Sequence, residues 1–321
     1  MNGSNLTVRV TALRNEASDI KLYELSPLDG PSLPGFAPGS HIDVHVKPGV
    51  VRQYSLCSDP ADTGRYWIAV KRELQSRGGS IAIHDEISLG HVLTISAPRN
   101  NFSLVAGTHR SLLVAGGIGI TPMIAMVHEL LDKQAPFELH YFVRSSDSVA
   151  FRSFLASDAV APFVSVHTGL SPEGTREALA VILRSNSEDA HLYMCGPRPF
   201  MTMVQTISSE AWPAAAIHLE NFSADETLLS AAQNAFEVKL ASSGEIFQIP
   251  VGESIVSVLA RHGIELDVSC EQGICGTCLT GVLSGEPEHR DDFLTDAEKE
   301  AGDQMMVCVS RAKTSSLTLD L

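Results

Sequence analysis

The sequence predicts a multidomain chain in three parts: an antiparallel β-barrel, an α/β domain on a parallel sheet, and a small C-terminal domain built around a cysteine cluster. Three observations predict this order. Short alternating strands fill the first part, strands alternate with helical segments in the middle, and four of the six cysteines fall in the last 52 residues. A chain of 321 residues has room for two or three domains of about 100–150 residues each.

Hydrophobic residues make up 44% and charged residues 19%, which excludes a disordered or fibrous chain. The formal net charge is −15, from 23 basic and 38 acidic residues, and argues against nucleic acid or an anionic membrane as partner. The charge is uneven: residues 1–105 carry 10 basic and 10 acidic side chains, residues 106–225 carry 7 and 12, and residues 226–321 carry 6 and 16, giving 0, −5 and −10. The opening MNGSNLTVRV has no basic segment followed by an apolar run, so no secretory signal is expected. The most apolar stretch, Ser111 to Val127, holds three glycines and a proline within 17 residues, too short and interrupted for a membrane span. A cytoplasmic protein, monomeric by default, is the expectation.

Over residues 1–105, HIDVHV (His41 to Val46) alternates apolar and polar positions, and RYWIAVKR (Arg65 to Arg72) and HVLTISAP (His91 to Pro98) are rich in β-branched or aromatic residues. Pro/Gly turns such as LPGFAPGS and KPGV separate them, as in a small barrel. RQYSLCS (Arg52 to Ser58) lies on one strand, with SRGGS (Ser76 to Ser80) downstream. A flavin needs an apolar or aromatic face, hydrogen-bond donors at N5 and O4, and a cationic or amide-rich phosphate cradle. Arg52, Tyr54, Ser55 and the Gly78–Gly79–Ser80 turn are the right types, although by themselves they equally fit an ordinary exposed strand. Cys57 reads as a core thiol.

Over residues 106–225, SLLVAG, ELHYFV, FVSVHT and AHLYMC read as buried strands. Each precedes a helical segment, in turn PMIAMVHELLDK, SVAFRSFLAS, TREALAVILRS and RPFMTMVQTISSE. Such alternation implies a parallel sheet that binds ligands at the carboxyl ends of its strands. GGIGITP (Gly116 to Pro122), with Gly116, Gly117, Gly119, Thr121 and Pro122, follows the first strand and lets the backbone approach a pyrophosphate at a helix N-terminus. It is not a G-x-G-x-x-G fingerprint and also suits a plain tight turn. YMCGPRPFM (Tyr193 to Met201), with Cys195, Gly196 and Pro197, follows the fourth strand and falls on the same sheet edge. Together the two loops point to a nicotinamide dinucleotide.

Residues 226–235 read as a linker within the polar stretch from Ser223 to Ala235. Over residues 236–321, FEVKLA and IFQIP form a hairpin around Ser242 to Gly244, and ESIVSVLARHG forms a helix stopped by Gly263. Then comes CEQGICGTC: Cys270, Cys275 and Cys278 in C-x4-C-x2-C spacing, with Cys308 after 29 further residues. This is the spacing of plant-type [2Fe–2S] ferredoxins. Gly273 and Gly276 let the backbone curl so that amides point at sulfur. A structural zinc site with four cysteines is the alternative, but it ordinarily pairs two short knuckles.

Taken together, these motifs resemble the phthalate dioxygenase reductase family over essentially the whole chain. The match rests on Arg52, Tyr54 and Ser55, on Gly116 to Pro122, on Cys195, Gly196 and Pro197, and on the four cluster cysteines. The resemblance implies a flavin barrel, a nicotinamide domain and a β-grasp plant-type ferredoxin domain. It implies FMN, with Arg52 and Gly78, Gly79 and Ser80 near its phosphate, and Phe222 of HLENF near the flavin ring; a core aromatic is the plainer role for Phe222. It further implies a two-electron to one-electron converter passing electrons from NADH through FMN and the [2Fe–2S] cluster to an oxygenase. Ser55 would donate to flavin N5, and Thr121 and Cys195 would line the nicotinamide pocket, unless Cys195 is simply a small buried residue.

After the second middle strand, VRSSDS offers Asp147, which favours NADH, beside Arg144 and serines that keep NADPH open. The acidic last third would steer toward a basic acceptor, or serve solubility alone. A Rieske-type terminal oxygenase is the expected partner. The alternatives are a stand-alone reductase serving a haem protein or small carrier, and a non-catalytic zinc-binding interaction module.

Overall fold

The first part folds into β1 (Leu6–Ala17), β2 (Ile20–Pro27), β3 (Ser40–Lys47), β4 (Val50–Ser55), β5 (Tyr66–Lys71), β6 (Val92–Ile95) and β7 (Arg99–Asn100). They form one antiparallel sheet in the order β4-β3-β6-β1-β2-β5, with β7 beside β3. A bridge from Leu56 to Ile68 joins the two edges, so the sheet closes as a barrel. Val8, Val10, Leu25, Ile42, Val44, Ile68 and Ile95 fill its interior. Helix α1 (Gly79–Glu86) adds Ala82 and Ile83 to the same core, and the Tyr23 hydroxyl donates to the Ile83 carbonyl at 3.1 Å.

The computed structural model describes residues 5–30, 32–74, 78–107, 110–185, 189–222 and 234–321. Its contacts divide the chain into two units, Met1–Phe222 and Ser223–Leu321. The barrel belongs to the first, as does a sheet of β8 (Arg110–Gly116), β9 (Phe137–Val143), β10 (Val164–Thr168), β11 (Ala190–Cys195) and β12 (Ile217–Glu220). All pairings are parallel, in the order β10-β9-β8-β11-β12. Connections run through α2 (Ile120–Asp132), α3 (Arg152–Leu155), α4 (Pro172–Ser185) and α5 (Arg198–Ser208). Strand order reverses between β8 and β11, which makes the crevice beyond their carboxyl ends the topological binding position.

The second unit is a mixed sheet of β13 (Phe236–Leu240), β14 (Ile246–Ile249), β15 (Leu279–Ser284), β17 (Gln304–Met306) and β19 (Ser316–Leu319), ordered β14-β13-β19-β15-β17. A two-stranded ribbon joins β16 (Pro287–Glu288) to β18 (Arg311–Ala312). Helix α6 (Ile255–Arg261), capped by the Ser254 hydroxyl, buries Ile255, Val258 and Leu259 in the core of this unit, the β-grasp arrangement. Helix α7 (Asp296–Ala301) begins in a capping box of Thr295 and Glu298.

Three elements depart from the sequence expectation. Gly78 to Ser80 is not an isolated turn: Gly78, at φ 80°, caps α1, and Gly79 and Ser80 are its first residues. The helix expected over Ser148 to Ser157 is confined to α3, because Phe151 adopts φ 57° immediately before it. The strand β12 carries HLE of the HLENF segment, where no strand was expected. Ser76 and Arg77 of SRGGS, and the linker 226–235 up to residue 233, lie outside the described residues. Among the described residues no helix is long and apolar enough to cross a membrane.

The two glycine loops meet. A Cβ on Gly119 would lie 2.2 Å from the Cys195 carbonyl oxygen, and one on Gly196 would lie 3.1 Å from the Gly116 Cα. Gly119 itself has ordinary helical backbone at φ −62°, so its lack of a side chain serves proximity alone. Gly119→Ala is therefore expected to force the loops apart and destabilise the first unit by about 1–3 kcal/mol. Calorimetry would read this as a lowered transition temperature; an unchanged transition would mean the approach is not constrained.

Candidate functional site

The barrel and the parallel sheet bring strand ends together. Ser55 is the last residue of β4, Cys195 of β11 and Glu220 of β12. Cys195 pairs in register with Ala115 on one side and Glu220 on the other. Across the barrel–sheet junction the Ser55 hydroxyl donates to Glu220 Oε2 at 3.3 Å. Burial pushes the Glu220 carboxyl up to about 8 against the opposing effect of the Ser55 hydroxyl, so it holds a proton at neutral pH. Burial, then the neighbouring Glu220, pushes the Cys195 thiol far up, so it stays protonated.

Arg52 and Gly79, two of the residues expected near a flavin phosphate, lie together. The Arg52 side chain lies across the start of α1, so close that a Cβ on Gly79 would sit 2.4 Å from Arg52 Nε. Arg52 also donates to the Val51 carbonyl at 2.7 Å. A guanidinium over a glycine-opened helix N-terminus suits a phosphate. Ser80 Oγ instead accepts from the Glu73 amide at 3.1 Å. Tyr54 is partly exposed, and burial raises its phenol.

Around the crevice beyond β8 and β11, Gly116 and Gly196 both abut the Phe200 ring, where added Cβ atoms would come within 2.8 Å and 2.9 Å. Pro197 caps α5, and Pro122 is buried in the first turn of α2. Gly117 takes φ 55° at the turn. Thr121 is buried, and its hydroxyl donates to the Ile118 carbonyl at 3.0 Å. Neither Thr121 nor Cys195 exposes its side chain to solvent, whereas Phe222, just past β12, is 37% exposed. Asp147 lies in the single turn after β9, its carbonyl accepting the Ser18 amide at 3.0 Å. Cys57 is fully buried, its thiol raised by burial.

Glu220 and Phe200 were missed in the sequence. The β-branched Ile217 at the start of the strand was a local signal for β12, but nothing local marks Glu220, whose place one sheet neighbour from Cys195 is a long-range pairing. Nothing local to Phe200 marks it, because its role depends on two loops distant in sequence.

In the second unit all four cysteines of the motif are buried, and their sulfurs lie within hydrogen-bonding reach of one another in the chain Cys275–Cys270–Cys308–Cys278. The thiols of Cys275 and Cys308 pull Cys270 down, and Cys308 does the same to Cys278. The Gln272 amide donates to Cys270 Sγ at 3.3 Å, and the Thr277 hydroxyl stands 3.2 Å from Cys275 Sγ. Gly273 at φ 71° and Gly276 at φ 78° turn the loop around the sulfurs. Four clustered thiols in C-x4-C-x2-C spacing with a distant fourth cysteine fit the ligand set of a [2Fe–2S] cluster.

Comparison with known proteins agrees. The profile of the oxidoreductase FAD-binding domain matches residues 7–104, and that of the 2Fe-2S iron-sulfur cluster binding domain matches residues 238–313. The chain is 47% identical over 314 residues to a vanillate O-demethylase oxidoreductase of Pseudomonas putida, covering 97% of this chain and 98% of that one. It is 44% identical over 317 residues to the protein of the same name from Pseudomonas sp. (strain HR199 / DSM 7063), covering 98% and 100%. A solved phthalate dioxygenase reductase, described as a modular structure for electron transfer from pyridine nucleotides to [2Fe-2S], superposes with a TM-score of 0.77. That structure is 39% identical, with 99% of this chain and 98% of that chain covered.

The raised Glu220 carboxyl generates a pH prediction. The folded state binds a proton that the unfolded state releases between 4.5 and about 8, so this group stabilises fully below 4.5 and its contribution is lost as pH rises through 8. Glu220→Gln is expected to flatten that part of the fall in stability relative to the parent. Melting temperatures of both proteins across the window test it, and parallel curves would count against a protonated carboxyl.

Proposed function

The chain belongs to the phthalate dioxygenase reductase family, and from that premise we propose that it is the reductase component of a two-component oxygenase whose terminal partner is of the Rieske type. The observation that carries the reading is one chain holding both a pair of glycine loops at a sheet switch point and four clustered cysteines. We assign residues 1–105 to FMN, 106–225 to NADH, 226–235 to a linker and 236–321 to the [2Fe–2S] cluster. Six buried cysteines, none of them in a disulfide, suit the reducing cytoplasm, and a monomer is the assigned state.

When bound, the flavin and cluster together convert the two-electron reducing power of NADH into single electrons for the acceptor. The protein supplies geometry. Arg52 and the α1 N-terminus bind the flavin phosphate, and Tyr54 and Phe222 flank the ring. Ser55, held by Glu220, presents its hydroxyl where flavin N5 would lie, and Glu220 keeps a proton one hydrogen bond behind it. Gly116, Gly117, Gly119, Gly196 and Pro197 admit the dinucleotide to the crevice above Thr121 and Cys195, with Asp147 placed toward the adenosine ribose. Cys270, Cys275, Cys278 and Cys308 hold the irons.

An anaerobic NADH titration followed by low-temperature EPR tests the whole sequence of transfers. Flavin bleaching with a reduced [2Fe–2S] signal is expected; bleaching without any cluster signal would overturn the reading. Cys308→Ser is expected to abolish the intact cluster while leaving flavin reduction by NADH in place, as read by iron content and flavin absorbance. Normal cluster content in that variant would remove Cys308 from the ligand set.

A further inference from the structure

The sulfurs are supplied by two segments separated by 29 residues, the 270–278 loop and the turn at Cys308. Between them in sequence, on neither segment, lies Asp291, whose side chain has no exposed surface. A buried carboxylate is costly unless its oxygens are satisfied. Its Oδ2 accepts the amides of Leu294 at 2.9 Å and Phe293 at 3.3 Å, and its Oδ1 accepts the Ser310 hydroxyl at 3.2 Å. Ser310 is two residues past Cys308 and is also bonded by the Arg290 amide at 3.2 Å.

The other side of the same segment grips the cluster loop. The Asp292 amide donates to the Gly273 carbonyl at 3.0 Å, midway between Cys270 and Cys275. A Cβ on Gly273 would lie 2.9 Å from Asp291 Cβ and 2.6 Å from Val309 Cγ2, so loop, carboxylate segment and Cys308 turn converge. The Phe293 ring occupies the space beside Gly276, 2.4 Å from where a Cβ would stand. From α7, Lys299 Nζ donates to the Asp291 carbonyl at 2.7 Å, while His289 Nδ1 stands 3.6 Å from Oδ1.

We propose that Asp291 is a positioning residue of the cluster cage: its carboxylate ties the Cys308 turn to the 291–294 segment, which through the Asp292 amide and the Phe293 ring grips the loop bearing Cys270, Cys275 and Cys278, and so sets the spacing of the four sulfurs. The role rests on the ligand assignment made above. Asp291 touches no sulfur itself and acts through Ser310 on one side and through the Phe293 and Leu294 amides on the other.

The test uses the full chain with Ser310→Ala, Asp291→Asn and Asp291→Ala. Ser310→Ala removes one bond to Asp291 and leaves the charge in place, so it keeps the test open if Asp291→Ala does not fold. The measurements are iron and sulfide content, the rate of bleaching under an iron chelator, the EPR g-values of dithionite-reduced protein, and the cluster midpoint potential. Ser310→Ala is expected to lose cluster on the order of 10-fold faster than the parent, with shifted g-values and potential. Asp291→Asn, which keeps one accepting oxygen, is expected to fall between parent and Asp291→Ala. Flavin content and flavin reduction by NADH stay unchanged. Parent-like lifetime, g-values and potential in Ser310→Ala and Asp291→Asn would overturn the proposal, as would cluster loss that only tracks thermal unfolding. If Cys308→Ser retains a full cluster, the ligand assignment fails and the cage role with it; if only the Asp291 and Ser310 variants behave as parent, the assignment stands and the brace alone falls.

Discussion

The first unit depends on one parallel register, in which Ala115, Cys195 and Glu220 stand abreast at the carboxyl ends of β8, β11 and β12. Shifting any strand by one residue would send its end side chain to the opposite face. With the register fixed, the first residues beyond β8 and β11 must share one crevice, and only glycine fits where they touch, at Gly119 against the Cys195 carbonyl. The barrel then needs a single well-placed residue, Ser55, to reach the same point.

That arrangement explains why the site was legible in part. The strand–helix alternation of the middle third and the barrel strands could be read from period, because each pattern reports on its own local burial. The cysteine spacing was legible for a similar reason, since three of the four clustered cysteines sit within one loop. Glu220 was not legible, because its importance comes from pairing beside Cys195 and from the Ser55 hydroxyl, both long-range contacts. The short helices escaped for another reason. Helix α1 is opened by a left-handed glycine that equally ends a turn, and α3 is cut short by the left-handed Phe151, which no propensity foretells.

Asp291 shows the same limit from the opposite side. Its neighbours in sequence, Arg290 and Asp292, make it look like one member of a charged surface run, the ordinary meaning of such residues. Only the folded chain separates them. Arg290, also buried, pairs with Glu288 at 2.8 Å, Asp292 lends its amide to the cluster loop, and the Asp291 side chain turns fully inward. Charge pattern predicts surface on average, and the exception is found by asking which carboxylate has all its oxygens engaged.

The six cysteines sort by surroundings rather than by burial, since all six are buried. Cys57 and Cys195 sit where burial dominates, and for Cys195 the adjacent Glu220 adds to the same direction, so both thiols stay protonated and inert. Cys270 and Cys278 are equally enclosed, yet neighbouring thiols and loop amides outweigh desolvation and favour the thiolate. A thiolate is what iron requires. Cys275 and Cys308, whose thiols stand beside those two, are pushed up instead, so the same four-cysteine group holds sulfurs displaced in both directions.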